Sequence, residues 1–472
     1  MENSDINGSL ASLKNKFEAQ KRAFLKNSYP DLQARKKHLE TLSQILVNHQ
    51  DEIADAISRD FSNRSKDETR LFEVMTSLNG IKHSIKHLKK WMKVSKRDVG
   101  ILFQPASAYV MYQPLGVIGI IVPWNYPLFL SVGPLAQALA AGNRVMLKMG
   151  EFTPEFSALF QKLISAHFDE DHINVIKGDV QIAQQFTQLP FNHLLFTGAT
   201  AIATHVLHAA AENLTPVTLE LGGKSPSIIA KDADLKESAR RLAFGKTMNA
   251  GQTCIAPDYV LVHRSQEKSF IEAYFEAIKG FYPSGIKNNP DYTTIVNDRQ
   301  FSRLESYLAD AKDKGAELHR IENENDGRRL AHVVVSQVND DMHLMKNEIF
   351  GPVLPIITYE HIDEAIEYIN AHERPLALYY FGYDKHEQQK VLLKTHSGGV
   401  CLNETLLHAG QEDMPFGGVG HSGIGHYHGI EGFRTFSHAK AVFDRPKFSL
   451  MKLVYPPYGS KLLQWIYKIF IR

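Results

Sequence analysis

Apolar residues recur along the chain with two periods, and the change between them divides it. From residue 9 to about 60 the period is helical. Leu10, Leu13 and Phe17, then Leu39, Leu42, Ile45 and Leu46, share a face on successive turns. Residues 81–97 continue this, with Ile81, Ile85, Leu88 and Met92 on one side and Lys, Arg and His on the rest. The spacing predicts a helix across 81–97 whose basic side is a solvated face, with a phosphate or an anionic surface as the alternative partner.

From Tyr109 the pattern is that of strands. Gly116-Val-Ile-Gly-Ile-Ile-Val122 is an unbroken apolar run, as in a strand covered on both faces. Two prolines turn the chain at Pro123-Trp124-Asn125-Tyr126-Pro127. A helix over about 128–141, a strand at 144–148 and a helix from about 154 follow. Strands at 172–176 and 192–196, a helix of small residues over 201–212 and a strand at 216–221 lead to Gly222-Gly223. This alternation predicts an α/β fold with a parallel sheet wound on both faces. Ligands of such sheets lie at the carboxyl ends of the strands, where Asn125, Lys148, Gly198 and Glu220 fall.

After Gly223 the alternation restarts, with strands at 227–230, 259–262, 332–338, 353–359, 376–382 and 399–402. Helices are expected at 234–249, 266–279, 301–314, 361–371 and 384–396. A second α/β unit therefore begins near 222. No internal repeat or low-complexity segment is present. Tyr455-Pro456-Pro457-Tyr458 reads as extended, and 461–472 mixes basic and apolar residues. That tail suits packing on the body of the protein or on a second subunit, with a partner's groove or peripheral contact with a membrane surface as alternatives.

Composition narrows the function. The 472 residues suggest about two or three domains, and 43% hydrophobic residues supply sizeable cores. A formal net charge of +1 excludes a charge-driven affinity for nucleic acid as the main role. No apolar run approaches the ~20 residues of a membrane span, and Met1–Leu10 lacks the core of a signal peptide. Two cysteines make no disulfide framework, so a reducing, cytoplasmic setting is expected. In that setting Asn63-Arg64-Ser65 and Asn213-Leu214-Thr215 are chance matches to the glycosylation pattern. His83 and His87 are spaced i,i+4 with no Glu between them, so no metal site is expected.

Several residues can carry chemistry, each with a plain alternative. Cys254, in Gly251-Gln-Thr-Cys254, is a buried small hydrophobe or a nucleophile beside a turn. Glu220, late in an apolar strand, is a general base with a burial-raised pKa or half of an ion pair. Asn125 is a turn former or an oxyanion donor. Lys148 needs an anionic partner, either a cofactor oxygen or a neighbouring carboxylate. Phe196-Thr-Gly198 is a strand-to-helix turn suited to a pyrophosphate. The strict G-x-G-x-x-G occurs only as Gly418-Val-Gly420-His-Ser-Gly423, with no strand directly before it and no clear apolar helix after it, and reads as a glycine-rich loop. Glu348 and Phe350 give no distinct signal alone.

Taken together, Pro123-Trp-Asn-Tyr-Pro127, Phe196-Thr-Gly198, Leu219-Glu-Leu-Gly-Gly-Lys-Ser-Pro226, Gly251-Gln-Thr-Cys254, Glu348-Ile-Phe-Gly-Pro352 and Met414-Pro-Phe-Gly-Gly418 resemble the aldehyde dehydrogenase superfamily. The likeness runs from about residue 10 to 455. Tyr427-His-Gly429, Thr435-Phe-Ser-His438 and Tyr455-Pro-Pro-Tyr458 are similar to the class 3, fatty-aldehyde and bacterial coniferyl-aldehyde branch. The resemblance implies an NAD(P)-dependent oxidation of a medium-to-long aliphatic or aromatic aldehyde, through a cysteine thiohemiacetal and thioester. Cys254 would attack, Asn125 and the Cys254 N–H would hold the oxyanion, and Glu220 would activate water. Lys148 and Glu151 would contact the adenosine ribose, Gly198 would lie under the pyrophosphate, Glu348 would hold the nicotinamide ribose, and Trp124 and Phe350 would pack near the cofactor.

This chain departs from the family at Met149-Gly150 and at Gly198-Ala199-Thr200-Ala201-Ile202-Ala203, where Ala199 lacks a hydroxyl for phosphate. Glu151 disfavours a 2′-phosphate, so NAD is expected over NADP. A coenzyme A-acylating enzyme and a catalytically idle binding protein are the alternatives. The implied organisation is a cofactor domain (1–101 and 116–222), a catalytic domain (223–431), a bridging element that builds a homodimer (102–115 and 432–446) and a tail (447–472).

Overall fold

The computed structural model describes residues 2–321, 325–448, 451 and 455–471, with side chains from residue 11 onward. The side chain of Leu10, and residues 449–450, 452–454 and 472 of the tail, lie outside the described residues. The chain opens with helices Glu2–Lys26, Leu32–Asn48 and Gln50–Asp60. Their apolar stripes are buried as the periodicity requires: Leu13 and Phe17 under the first, Leu39, Leu42, Ile45 and Leu46 under the second. Asp31 starts the second helix by accepting from the Ala34 N–H.

The helix expected to reach Arg97 ends at Trp91. Met92, the residue after it, is partly buried against the core, and Lys93 and Val94 are exposed, so nothing packs a further turn. The basic stretch instead forms strand β1, Ser95–Arg97, which pairs antiparallel with β2, Ser107–Pro114. A non-local ladder has replaced a helical turn that had no buried face.

Five parallel strands follow: β3 (Val117–Ile121), β4 (Arg144–Lys148), β5 (Ile173–Ile176), β6 (His193–Thr197) and β7 (Val217–Glu220). Every residue of β3, β5 and β6 is buried, as a doubly covered sheet demands. A helix at Val180–Thr187, started by Asp179, joins β5 to β6; its eight residues were too few for the periodicity to show. The second sheet contains β8 (Pro226–Ile229), β9 (Tyr259–His263), β10 (Glu317–Arg320), β11 (Val333–Ser336), β12 (Val353–Tyr359), β13 (Ala377–Phe381) and β14 (Gly399–Leu402). Two late strands return to earlier partners: β15 (Gly423–Ile424) beside β7, and β16 (Ser437–Asp444) along all of β2.

The strand order of the first sheet is β15-β7-β6-β3-β4-β5. The chain moves outward from β3 to β5, then returns to the other side of β3 as β6. The point of reversal therefore lies between β3 and β6, and a crevice opens beyond their carboxyl ends. The second sheet runs β10-β11-β12-β9-β8-β13-β14, parallel except for β10. The segments that enter β8, β9 and β12 face that crevice, so carboxyl ends of one sheet meet amino ends of the other. The third sheet, β1-β2-β16, is three-stranded and carries β16 on an exposed edge. In helix Lys461–Phe470 only Leu463 is buried, and Leu462, Trp465, Tyr467, Ile469 and Phe470 are exposed.

Candidate active site

The cleft between the sheets is lined by Pro123–Asn125, Thr197–Ala199, Glu220–Gly222, Cys254, Gln300, Arg303, Glu348 and Phe350. Seven residues singled out from the sequence as nucleophile, base, oxyanion donor or cofactor contact thus converge here: Cys254, Glu220, Asn125, Trp124, Gly198, Glu348 and Phe350. Lys148 and Glu151 do not line it. Glu151 lines a second depression with Met149, Gly150, Pro154, Ser157, Lys177, Gly178 and Asp179, and Lys148 adjoins it through its bond to Glu151.

Cys254 owes its place to an unusual turn. Asn249, Ala250 and Gly251 have φ of 50°, 51° and 73°, three left-handed residues in succession. For Ala250 that conformation costs roughly 1–2 kcal/mol, so the surroundings must impose it. Asn249 Nδ2 donates to Asn125 O (3.0 Å) and Gln252 O (3.1 Å). The Gln252 amide reaches Asn249 O (3.0 Å) and Thr294 O (3.2 Å), and its Oε1 accepts from Val296 N (2.9 Å). A Cβ on Gly251 would stand 2.5 Å from Gly351 O, so only glycine lets this turn rest on the Glu348–Pro352 turn. Cys254 as a residue is of intermediate exposure in the cleft wall, while its neighbours Thr253 and Ile255 are buried.

Asn125 follows β3. Its side-chain Nδ2 donates to Gln252 O at 3.2 Å, two residues before Cys254. Tyr126 Oη shares a hydrogen bond of 3.1 Å with Thr253 Oγ1. The two turns are therefore stitched together at the two residues that precede the thiol. Glu220 ends β7, and its backbone O accepts from Gly198 N at 3.0 Å. Both of its carboxyl oxygens are buried without a protein partner. Glu348 packs on Gly222, where any Cβ would come within 2.6 Å of its carboxyl atoms. Arg303 fixes the Glu348–Phe350 turn by donating to Ile349 O (2.8 Å) and Glu348 O (3.4 Å).

These carboxyls change the electrostatics of the cleft. Burial holds Glu220 well above the ordinary carboxylate range. It pushes Glu348 up to about 8, helped by Asp258. Burial pushes the Cys254 thiol up to about 12, and Glu348 and Glu220 add to the rise. In the cofactor-free protein the thiolate is therefore scarce at neutrality. Inactivation by iodoacetamide should accelerate about tenfold per pH unit from pH 7 to 10 without a plateau, since only thiolate reacts. A plateau near pH 8, read from the rate profile, would contradict this environment.

The surroundings suit a dinucleotide. Helix Thr200–Ala211 begins after Ala199, which offers its first amides no side-chain cap, leaving that terminus to an anion. In the neighbouring groove Ser157 Oγ is buried and unpartnered. Lys148 Nζ donates to Glu151 Oε1 and to Met149 O, both at 2.7 Å, so its partner within the protein is the carboxylate. Trp124 stands edge-on to Phe350, with centroids 5.5 Å apart.

Residues 7–442 match the aldehyde dehydrogenase family. The chain belongs to that family. It is an NAD(P)-dependent aldehyde dehydrogenase, which oxidises aldehydes to carboxylic acids. A probable coniferyl aldehyde dehydrogenase of Pseudomonas aeruginosa is 56% identical over 456 residues, covering 97% of this chain and 96% of that protein. Mouse aldehyde dehydrogenase family 3 member A2 is 38% identical over 448 residues, or 94% of this chain and 91% of that one. The substrate-bound state of Staphylococcus aureus AldH superposes with a TM-score of 0.92 at 37% identity, covering 97% and 99% of the two chains. The dehydrogenase thus lies in the coniferyl-aldehyde and class 3 branch.

Several parts of this dehydrogenase carry no distinct sequence signal. Gln300 and Arg303 share a face of helix Asp298–Asp313, and Arg303 Nε donates to Gln300 Oε1 at 2.8 Å. Their i,i+3 spacing on a polar helix resembles any solvated pair. Lys177, Gly178 and Asp179 follow β5, at a carboxyl end, which is the place to look for ligand contacts. The Gly418–Gly423 loop is not a dinucleotide turn: it folds tightly, with Gly423 opposite Glu220 and Leu221 N donating to Ser422 O at 3.1 Å. No helix of the described residues is long and apolar enough to cross a membrane.

Proposed function

We propose that this dehydrogenase oxidises aromatic and medium-to-long aliphatic aldehydes through a covalent intermediate on Cys254, with NAD as its preferred acceptor. The observation that carries the reading is the meeting of Cys254, Asn125 and an unpartnered Glu220 in one cleft at the switch point of the sheet. The Cys254 thiolate attacks the carbonyl carbon. The oxygen gains charge between Asn125 Nδ2 and the Cys254 N–H, preset donors that stabilise it without reorganising. When bound, the dinucleotide supplies the hydride acceptor that converts the thiohemiacetal to a thioester. Glu220 then takes a proton from the water that attacks the thioester, releasing the acid and the Cys254 thiol.

NAD is favoured because Glu151 and Asp179 face the second groove against one lysine, Lys177, which disfavours a 2′-phosphate. Lys148 and Glu151 would hold the adenosine ribose, Gly198 the pyrophosphate and Glu348 the nicotinamide ribose, with Trp124 and Phe350 flanking the ring. The substrate class rests on the named relatives and on an aromatic cluster beside the thiol. Tyr379 Oη donates to Ile255 O (2.5 Å), His408 packs on Tyr379, and Phe416 stacks on His428. The exposed β16 edge supports a homodimer built on the third sheet. Two free cysteines, one of them the nucleophile, support a cytoplasmic setting.

A panel of aldehydes assayed with NAD and with NADP tests this. Coniferyl-type and long-chain aldehydes should give the free acid without coenzyme A, with kcat/KM higher for NAD. Strict dependence on coenzyme A would overturn the hydrolytic reading.

A further inference from the structure

Three charged side chains lie behind the cleft, and none of them touches its walls from within. Arg64 and Glu73 are fully buried, and Glu68 nearly so. Arg64 Nε donates to Glu68 Oε1 at 3.1 Å and Arg64 Nη1 to Glu73 Oε1 at 2.9 Å. The helix that runs from Lys66 to Trp91 carries a π-helical stretch at Arg70–Met75. Such wide turns are rare and occur mostly at functional sites, and this one contains Glu73.

Each member of the triad also holds backbone of the site. Arg64 Nη1 donates to Asn125 O at 3.1 Å. Glu68 Oε1 accepts from Asn249 N at 3.0 Å. Glu73 Oε2 accepts from Leu128 N (2.8 Å) and Phe129 N (3.1 Å), where the helix after the Asn125 turn begins. The Arg64 guanidinium lies 4.5 Å from the Tyr126 ring centroid, on the tyrosine that meets Thr253. One cluster therefore grips both the Asn125 turn and the left-handed turn that precedes Cys254. Buried ion clusters are a poor source of stability, because desolvation offsets their attraction. Their geometric effect is direct: Arg64 and Glu68 fix how far Asn125 stands from the Cys254 loop.

We propose that Arg64, Glu68 and Glu73 are positioning residues that set the spacing of the two oxyanion donors, Asn125 Nδ2 and the Cys254 N–H. This rests on the covalent reading of Cys254 given above. A misplaced donor weakens the step that makes an oxyanion and leaves a step without one unchanged. Alkylation of Cys254 by iodoacetamide is a displacement at saturated carbon and needs no oxyanion donor.

The test compares full-length wild type with Glu68→Gln by first-turnover NADH formation, iodoacetamide inactivation and NADH binding. First turnover should fall about tenfold to a hundredfold, while alkylation and NADH affinity stay within about twofold. If Glu68→Gln does not fold, Glu73→Gln, which keeps the shape and removes the charge facing Arg64, should show the same split. An unchanged first turnover, or equal falls in all three readouts, overturns the role of the triad. If iodoacetamide fails to inactivate the wild type even at pH 10, where the thiolate fraction is about a thousandfold larger than at pH 7, the assignment of Cys254 itself falls, and the proposal with it.

Discussion

Cys254→Ala is expected to lower aldehyde-dependent NADH formation by about 10⁴-fold or more, because removal of a covalent nucleophile cannot be offset by the remaining groups. The cleft lining contains no other thiol. Cys401 lies on β14, paired with Tyr379 on β13, and cannot substitute. The Cys254 loop is held by Asn249, Gln252 and Gly251 and not by the sulfur, so the variant should fold and bind NADH as the parent does. Steady-state rates with NADH fluorescence titration decide the matter. Retention of more than about one per cent of turnover would remove Cys254 from the mechanism. Cys401→Ala is the control and should keep full activity.

Glu220→Gln should divide the reaction in two. Formation of the thioester does not require Glu220, so one NADH per site should still appear in a rapid burst. Steady turnover should then fall by about 10²–10⁴, the usual contribution of a general base. Stopped-flow absorbance at 340 nm separates the phases, and loss of the burst itself would contradict the assigned role. The variant should not be unstable. Burial raises the folded-state pKa of Glu220, so the folded protein binds that proton more tightly than the unfolded chain. Its contribution to stability is present at low pH and is lost as pH rises above the unfolded-state carboxyl range and through the raised folded-state one. Glutamine removes that dependence, and neither Glu220 oxygen has a protein hydrogen bond to lose. The melting temperature at pH 8 should therefore be no lower than that of the parent.

The strands around the cleft were legible because burial on both faces leaves a simple trace. The run from Gly116 to Val122 admits few readings, and β3 occupies it. The glycine-rich 418–423 segment was equally clear as a loop, since a phosphate turn needs a strand before it and a helix after it. The helix end at Trp91 was not legible. Lysine-rich sequence beyond it fits a solvated helix, and the competing partner, β2, is named only by three-dimensional pairing. The same difficulty hid Arg64, Glu68 and Glu73. Charges at helical spacing read as a wet face, and nothing local shows that the Asn125 and Asn249 turns close over them. The Cys254, Glu220 and Asn125 set drew its force from motifs recognised together. The physical reading of each residue alone left two answers open, and the cleft is where those residues meet.

The pairing of β15 with β7 and of β16 with β2 has a consequence for the order in which the enzyme is made. Nucleophile and base are both translated before residue 260, little more than half of the chain. Yet the strand that ends in Glu220 keeps one open edge until Gly423 and Ile424 arrive beside it, and the edge of β2 away from β1 stays open until 437–444 emerge. The two ends of the message must both be read before the site has its final frame. A ribosome-bound chain thus holds its reactive thiol for nearly half of its synthesis without a completed sheet behind the base. The raised pKa of Cys254 is a property of the finished cleft and not of the nascent chain.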